Sequence, residues 1–410
     1  MKILLANKFF YLKGGSERTF FEEARLLEEK GHQVVFFSMQ DEKNFSSSQS
    51  GYFIDGIDYD SPLGPVRNIT RILKLFYSLE AKKKLEALIL RERPDIAHLH
   101  NIHHQISPSI IHVLKKHGIP VVMTLHDCKM VCPAYTMTRN GRPCEECAAG
   151  RYYRCFLHRC TKGSYLKSMV NMMEMYLHHR ILRIYEGVDV FISPSRFLKD
   201  KLRGMGFNRN IITLANPIDA GSYQPEYDNP GRTFCYLGRL SPEKGIFTLV
   251  EAMVGLDADL KIIGDGPLKS RLASKIESGK RTRIHLAGYK AGEELKAEVG
   301  NCLAVIVPSE CYENYPYTIL ESFALGKPVI GSRIGGIPEL VIDRETGFTF
   351  APGDPADLRS RLKAILDNHD RVIKMGRNAR EFIVANNKPE QHYQQLMEIY
   401  RLASSNPINS

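Results

Sequence analysis

The sequence predicts an α/β protein made of two domains in tandem that face each other across a cleft. Short apolar strands alternate with helical segments along most of the chain, a pattern typical of parallel sheets covered by helices. A polar, proline-rich segment near residue 220 interrupts the alternation, which then restarts. The length of 410 residues also exceeds what one hydrophobic core usually holds, so two domains are expected.

The first predicted domain, residues 1–220, opens with a βαβ unit. Lys2–Ala6 forms an apolar strand, a loop containing Gly14 and Gly15 follows, and a helical pattern runs over 16–30 before a second strand at 34–37. A glycine loop before a helix lets a phosphate approach the backbone. The loop lacks the GxGxxG spacing, so a dinucleotide fingerprint is absent.

Three further strands of this domain end in polar residues. Strands at 95–100, 120–125 and 188–192 are each followed by such residues, and His126 directly follows the second. Residues just past the carboxyl ends of parallel strands line the binding crevice of an open sheet. A single histidine is more often a structural hydrogen-bonding group, but this position makes His126 a candidate site residue.

A basic helical pattern runs from Ile69 to Ile89, after a polar loop at 38–66. Its apolar residues recur at helical spacing with Arg71, Lys74 and Lys82 among them. Packing against the core is the first interpretation of the apolar face, and contact with a membrane surface is the second. The apolar positions are Ile69, Ile72, Leu73, Phe76 and Leu79.

The net charge of +10 comes entirely from the first half of the chain. Residues 1–220 contain 32 Lys and Arg against 22 Asp and Glu, and the remainder contains 24 of each. This excess indicates an anionic partner, either nucleic acid, an acidic substrate or an anionic membrane surface, or else a solvated basic surface. No signal peptide or membrane-length apolar run is recognisable, so a cytoplasmic protein is expected.

The second predicted domain, residues 221–388, contains a strand–loop–helix stretch at 308–328. An apolar strand precedes it, and the helix is predicted to begin near Tyr317. Glu313 lies in the loop and Glu321 about one turn into the helix, so both are placed to face one ligand. Unpaired amides at a helix N-terminus suit a phosphate or diphosphate. Residues 389–410 are predicted to form a helix that packs back on the first domain.

Six cysteines lie in a predicted insertion of the first domain, residues 128–163. In a cytosolic chain such spacing indicates a structural zinc site more than disulfides, but free thiols, disulfides and an iron–sulfur cluster stay open. A CxxC pair followed by two nearby cysteines fits a compact set of four thiolate ligands, and a fifth cysteine is an alternate ligand. These are Cys144, Cys147, Cys155 and Cys160, with Cys132 as the alternate.

The motifs of the second half, in this order, resemble the retaining nucleotide-sugar glycosyltransferases of family 4, which have two Rossmann-like domains in the GT-B architecture. The cysteine segment and the basic first half resemble bacterial members that assemble polysaccharides. The resemblance covers nearly the whole chain. Its motifs are GRLSPEKG at 238–245, GDG at 264–266, the pair Glu313 and Glu321, GKPVI at 326–330 and GGIPELV at 335–341.

The resemblance implies a nucleotide-diphosphate sugar as donor and assigns its site. Arg239 and Lys244 would bind the diphosphate, and Glu313 would bind sugar hydroxyls or support the reacting centre. His126 would stabilise the oxocarbenium ion, and Glu321 would accept from the ribose hydroxyls. The remaining donor residues are Gly14, Gly15, Asn314 and Tyr315, with Gly288 and Tyr289 near the base.

The resemblance further implies a retaining transfer that needs neither a separate base nor a metal cofactor. The acceptor would be a glycan or a lipid-linked precursor, with peripheral attachment to the inner membrane face. Two other functions stay open: a GT-B nucleotide-sugar epimerase, and a non-catalytic nucleotide-sugar-binding subunit of a polysaccharide assembly complex. A nucleic-acid partner is not expected, because no aromatic and basic motif accompanies the charge.

Overall fold

The computed structural model describes residues 1–57, 65–227, 231–279 and 281–405, and for 65–69 it describes the backbone alone. Residues 58–64 of the predicted loop at 38–66 and the side chain of Ile69 therefore lie outside the described part of the chain, as do residues 228–230 at the start of the second predicted domain.

The described chain alternates between strands and helices. The strands are β1 Lys2–Ala6, β2 Gln33–Phe37, β3 Ile96–Leu99, β4 Val121–Thr124, β5 Thr138–Arg139, β6 Arg142–Pro143, β7 Val190–Ser193, β8 Ile211–Thr213, β9 Thr233–Leu237, β10 Asp259–Ile263, β11 Ile284–Gly288, β12 Ala304–Val307, β13 Val329–Ser332 and β14 Gly347–Phe350. The helices are α1 Gly15–Glu29, α2 Pro65–Phe76, α3 Leu79–Glu92, α4 Ile110–Lys116, α5 Tyr153–Leu157, α6 Tyr165–Tyr176, α7 Arg196–Gly204, α8 Ile246–Ala252, α9 Lys269–Ser278, α10 Gly292–Gly300, α11 Tyr317–Ala324, α12 Ile337–Leu340, α13 Pro355–Leu366, α14 His369–Asn386 and α15 Pro389–Ser405.

The chain divides into two compact units. The first consists of Met1–Thr136, Glu145–Asn216 and Glu390–Ser410, and the second consists of Met137–Cys144 and Pro217–Pro389. Each unit contains one six-stranded sheet whose strand pairs are all parallel. Parallel strands are covered on both faces, which explains why a strand such as β12 is apolar and buried throughout.

The strand order of each sheet contains one reversal of direction. In the first unit the order is β2-β1-β3-β4-β7-β8, and in the second it is β11-β10-β9-β12-β13-β14. The second order therefore reverses between β9 and β12, which pair directly with Val305 opposite Cys235. Ligands of open α/β sheets bind at such a reversal, outside the carboxyl ends of the strands.

The C-terminal helix α15 completes the core of the first unit. Leu396 and Tyr400 are fully buried and cluster with Ile3 of β1 and Phe20 of α1. The Tyr400 hydroxyl also lies 2.9 Å from Nδ1 of His98 on β3. The last helix in the chain is thus part of the same hydrophobic core as the first strand.

The helical pattern at 69–89 forms two helices instead of one. Ser78 accepts a hydrogen bond from the amide of Ala81 and caps α3, so the chain turns between α2 and α3. Leu73 and Leu79 are 60% and 72% exposed, so the interpretation of the apolar face as core is wrong at these two positions. No helix in the described ranges is long and apolar enough to cross a membrane.

Candidate active site

The loops at the carboxyl end of the second sheet contact one another closely through their backbones. Gly245, which follows the helical turn after β9, has a φ of +67°, and a Cβ there would lie 1.9 Å from the carbonyl oxygen of Pro308, which follows β12. Gly335 after β13 has a φ of +63°, and a Cβ there would lie 2.3 Å from the carbonyl oxygen of Glu313. Only glycine fits either position, so the motif glycines set the spacing of these loops.

Lys244 and Glu313 form an ion pair between the two central loops. Lys244 Nζ lies 2.5 Å from Glu313 Oε1, and the Ser309 hydroxyl donates to the same oxygen at 2.6 Å. The Glu313 side chain is 14% exposed and that of Lys244 31%. This pair lies at the reversal of strand order, where a ligand site is expected.

The two groups of the pair hold each other in the charged state. Burial acts to lower the pKa of Lys244, but the Glu313 carboxylate outweighs it and raises that pKa. Burial acts to raise the pKa of Glu313, but Lys244 and the Ser309 hydroxyl outweigh it and lower that pKa. The site therefore presents one fixed cation and one fixed anion at neutral pH.

The other donor residues predicted in the second unit surround this edge of the sheet. Arg239 is exposed, and its carbonyl accepts from the Tyr236 hydroxyl at 2.8 Å. Asn314 and Tyr315 directly follow Glu313, and the Tyr315 hydroxyl accepts from Asn387 at 3.0 Å.

The remaining predicted donor residues lie on α11 and after β11. Glu321 is half-buried on α11. Gly288 ends β11 and its carbonyl accepts from the amide of Gly264 at 2.7 Å, while the Tyr289 side chain beside it is 77% exposed. A flat aromatic ring exposed at this edge is able to stack on a base.

The predicted site residues of the first unit lie at the carboxyl ends of β1 and β4. Gly14 and Gly15 are exposed where α1 begins. His126 is half-buried after β4, and its ring stacks on His100 with the ring centroids 5.2 Å apart. Burial and the neighbouring His100 lower the pKa of His126 well below its ordinary value, so the ring is neutral at pH 7.

A buried carboxylate and histidine cluster, not predicted from the sequence, lies behind His126. Nε2 of His126 is 3.0 Å from Nδ1 of His100, and Nε2 of His100 is 3.3 Å from Oε2 of Glu23 on α1. The other oxygen of Glu23 lies 3.2 Å from Nε2 of His392 on α15. The only sequence signal was the His-x-His pattern leaving β3, since Glu23 and His392 are far apart in the chain.

A second buried ion pair anchors the cysteine segment to α6. Lys129 Nζ lies 2.7 Å from Glu174 Oε2, and both side chains are at most 2% exposed. Lys129 Nζ also donates to the carbonyl of Pro133. Because a buried charge needs its partner, this pair holds the start of the segment against the core. No sequence pattern indicates this pair, because its two residues are 45 positions apart.

The cysteines of the segment form no disulfide among the described residues, and they belong to both units. Cys132, Cys147 and Cys155 are buried and, like Cys160, belong to the first unit, whereas Cys144 belongs to the second. A hydrogen bond with Cys160 lowers the pKa of the Cys155 thiol. Among the described residues, the group of ligand atoms within 4.8 Å of one another is Glu23, His98 and His100, and it includes no cysteine. The zinc site stays a prediction.

Two doubly wound α/β units, with a lysine–glutamate pair between glycine-spaced loops in the second, define a glycosyltransferase of the GT-B class. Family models agree with this class. The model described as Glycosyltransferase Family 4 matches residues 13–221, and the model described as Glycosyl transferases group 1 matches residues 223–382. The chain belongs to glycosyltransferase family 4.

Individual relatives match more weakly. An uncharacterized glycosyltransferase of Methanocaldococcus jannaschii is 30% identical over 195 residues, which are 47% of this chain and 54% of that protein, so the match spans about half of its length. An uncharacterized protein in the cps region of Klebsiella pneumoniae is 24% identical over 353 residues, 83% of this chain and 87% of the relative. The solved structure of Anabaena HepE in complex with UDP-glucose has the same fold, with a TM-score of 0.64 at 17% identity over 97% of this chain and 99% of that one.

Proposed function

We propose that this protein is a retaining glycosyltransferase that moves a sugar from a nucleotide-diphosphate sugar to a lipid-linked or polysaccharide precursor. The observation that carries the proposal is the Lys244–Glu313 pair, placed with Arg239 at the reversal of strand order in the second sheet. Relatives support the substrate classes. One lies in a cps region, and the HepE structure holds UDP-glucose.

In the proposed reaction, Arg239 and Lys244 bind the donor diphosphate. The diphosphate gains negative charge as the glycosidic bond breaks, and preorganised cations stabilise that charge more in the transition state than in the ground state. The Glu313 carboxylate, kept ionised by Lys244, accepts hydrogen bonds from the sugar hydroxyls. Glu321 accepts from the ribose, and Tyr289 stacks on the base.

The acceptor hydroxyl attacks from the side of the leaving diphosphate in this proposal, so configuration is retained. The departing phosphate oxygen takes the proton of the acceptor, and no side chain is needed as a separate base. His126, neutral at pH 7, supports the positive charge that develops on the sugar ring. In this mechanism Glu313 and Glu321 bind the donor and do not act as a double-displacement pair, which would need two carboxylates about 5 Å apart across the scissile bond.

Replacing the two charged groups tests the donor site. Lys244→Ala and Glu313→Gln are each expected to lower kcat/KM for the donor by about 100-fold or more, since each removes a group that acts on the developing charge. Lys261→Ala is the matched control, because Lys261 pairs with Glu298 at 2.7 Å in the same unit but on β10. Steady-state transfer assays and a thermal-shift panel of UDP-, GDP- and ADP-sugars give the measurements.

Two outcomes would contradict the proposal. Undiminished sugar transfer by Lys244→Ala or Glu313→Gln would show that the assignment of the donor site is wrong. Stabilisation by a nucleotide sugar without transfer or donor hydrolysis would instead identify a binding subunit, and turnover to an epimer without acceptor would identify an epimerase.

A cytoplasmic protein bound peripherally to the inner membrane face fits a lipid-linked acceptor. The exposed Leu73 and Leu79, next to basic residues of α2 and α3, support such binding. We also keep structural zinc as a proposal for the cysteine segment. The proposed ligands are Cys144, Cys147, Cys155 and Cys160, with Cys132 as the alternate because Cys144 belongs to the other unit, and elemental analysis of the purified protein measures the metal directly.

A further inference from the structure

Helices α5 and α6 of the first unit expose a row of large apolar side chains. Leu166 and Met173 lie two turns apart on α6 and are 62% and 48% exposed. Tyr165 on α6 and Leu157 at the end of α5 are also exposed, and so is Ile181 at the end of the helical turn that continues α6. We call these five residues the α5–α6 face.

Contacts between aromatic and guanidinium side chains join α5 and α6 into one continuous surface. The Phe156 and Tyr165 rings lie 5.5 Å apart, and the Arg159 guanidinium lies 5.1 Å from the centre of the Tyr165 ring. On its buried side α6 is anchored by the Lys129–Glu174 pair. The helical turn after α6 is fixed to α2, since Nε2 of His178 lies 2.6 Å from the carbonyl oxygen of Phe76. The face is therefore held rigidly by the fold.

The segment 147–173, which carries four of the five residues of this face, is basic. Residues 147–173 contain no Asp or Glu, and they contain five basic residues. Arg159, Lys162 and Lys167 are exposed on or beside the face. Acids lie close to some basic residues of both regions: Lys74 of α2 pairs with Glu80 at 2.6 Å, and Arg154 lies 4.0 Å from Glu146. The basic residues are Arg151, Arg154, Arg159, Lys162 and Lys167.

The exposed apolar and basic side chains of the α5–α6 face favour one class of partner over the others. Large exposed apolar side chains on a soluble unit mark an interaction surface. A symmetric pairing with a second copy would bring two acid-free basic segments together, and like charges oppose that. Nucleic acid would use the basic residues but offers little to Leu157, Leu166 and Met173. A bilayer with anionic headgroups satisfies both, because aliphatic and tyrosine side chains enter the headgroup boundary while Lys and Arg bind the phosphates.

We propose that the α5–α6 face docks the protein on an anionic phospholipid membrane. This inference deepens the proposed function and rests on it for the lipid-linked acceptor, because docking brings the first unit to the membrane that holds such a substrate. It assigns the main contact to the cysteine segment and α6 instead of to the basic residues of α2. The apolar side chains insert and the basic ones bind headgroups, so both parts contribute.

Vesicle sedimentation tests the proposal on the full chain. The wild-type protein is expected to sediment with phosphatidylglycerol–phosphatidylcholine vesicles and not with phosphatidylcholine alone. Leu166→Glu with Met173→Glu, and separately Lys162→Glu with Lys167→Glu, are each expected to lower the apparent affinity about tenfold or more. Arg71→Glu with Lys74→Glu and Lys82→Glu is expected to lower it less than either.

Matched controls lie in the second unit. Val254→Glu changes a side chain that is exposed to the same degree as Met173, and Lys374→Glu with Lys388→Glu makes the same change in charge on exposed lysines. Both controls should sediment like the wild type, and circular dichroism checks that every variant is folded. Hydrolysis of the donor without acceptor should be unchanged in the face variants, so loss of membrane binding is separable from failure of the proposed function.

Three results would overturn the proposal. The first is unchanged sedimentation of Leu166→Glu with Met173→Glu. The second is equal binding of the wild type to both kinds of vesicle. The third is a wild-type dimer in sedimentation velocity that the same double variant dissociates, since this would assign the face to a second copy of the chain.

Discussion

Glu23 is a buried carboxylate that contacts histidines from two distant parts of the chain. Burial acts to raise its pKa, but His98 and its other histidine neighbours outweigh burial and hold the pKa well below its ordinary range. Nδ1 of His392 lies 2.9 Å from the carbonyl oxygen of Ala215, so it carries a proton. Nε2 of the same ring lies 3.2 Å from Oε1 of Glu23.

The contact between Glu23 and His100 bears on which nitrogen of His126 carries the proton. Oε2 of Glu23 and Nε2 of His100 lie 3.3 Å apart, and the contact does not meet the geometry of a hydrogen bond. An ionised carboxylate favours a proton on the nitrogen that faces it, so we expect His100 to carry its proton on Nε2 and to accept at Nδ1 from Nε2 of His126, 3.0 Å away. We then expect His126 to be the Nε2–H tautomer, with Glu23 as a positioning residue for it.

Substitution of Glu23 tests this chain of hydrogen bonds. In Glu23→Gln the amide oxygen is still able to accept from His100, so His126 should keep the Nε2–H tautomer. Glu23→Ala removes the acceptor, and His126 should become a mixture of tautomers, with a loss of about 3 kcal/mol of stability. ¹⁵N imidazole shifts and urea unfolding give the two measurements. An unchanged tautomer in Glu23→Ala would contradict the assignment.

At the scale of elements, the donor site depends on how closely three loops approach one another. Each loop follows a parallel strand, and the strand–loop–helix pattern of the second unit was predictable because it is local in sequence. The close approach of Gly245 to Pro308 is a contact between loops more than 60 residues apart. This contact aligns Lys244 with Glu313. A local sequence pattern shows that a glycine is present, but it does not show which distant backbone atom a Cβ at that position would collide with.

A comparison of two glycines in the second unit distinguishes the cost of a positive φ from the cost of a steric clash. Gly245 and Gly255 have φ values of +67° and +77°, but a Cβ at Gly255 would meet nothing within 4 Å. Gly255→Ala should cost about 1 kcal/mol, the price of left-handed backbone in a residue with a Cβ. Gly245→Ala should cost about 2 kcal/mol more and weaken donor binding, because the Pro308 loop must move. Urea unfolding and donor titration measure both effects, and equal costs would refute the loop-spacing argument.

At the scale of the whole molecule, the histidines are concentrated in one unit. Only His285 and His369, of 14 in the chain, belong to the second unit. In the first, burial lowers the pKa of His98 and of His179 to about 3, and it lowers the pKa of His103 and His104 well below the ordinary value. The first unit therefore keeps several histidines neutral where the unfolded chain would protonate them.

Acid should therefore destabilise the first unit selectively. A histidine with a lowered folded pKa binds fewer protons than in the unfolded chain, so stability falls as pH drops below about 6.5 and keeps falling to the folded pKa. Each such residue contributes about 1.4 kcal/mol per pH unit in that window. Calorimetry between about pH 7.5 and about pH 5 should show one transition that shifts more than the other. His179→Gln should reduce that shift, and equal shifts of both transitions would contradict this prediction.

The sequence by itself determined the two α/β repeats, five of the six strands of the first sheet to within about two residues, and the loops that carry Arg239, Lys244 and Glu313. These features are local, since apolar runs, glycine positions and turn residues act over a few neighbouring residues. It left the two-helix break at Ser78, the exposure of Leu73 and Leu79, and the helix α14 unpredicted. Only the tertiary structure decided the Lys244–Glu313 pair, the Glu23–His392 pair behind His126 and the acid-free apolar face of α6. Each of these is a contact or an exposure set by packing between segments far apart in the chain, which no short-range pattern specifies.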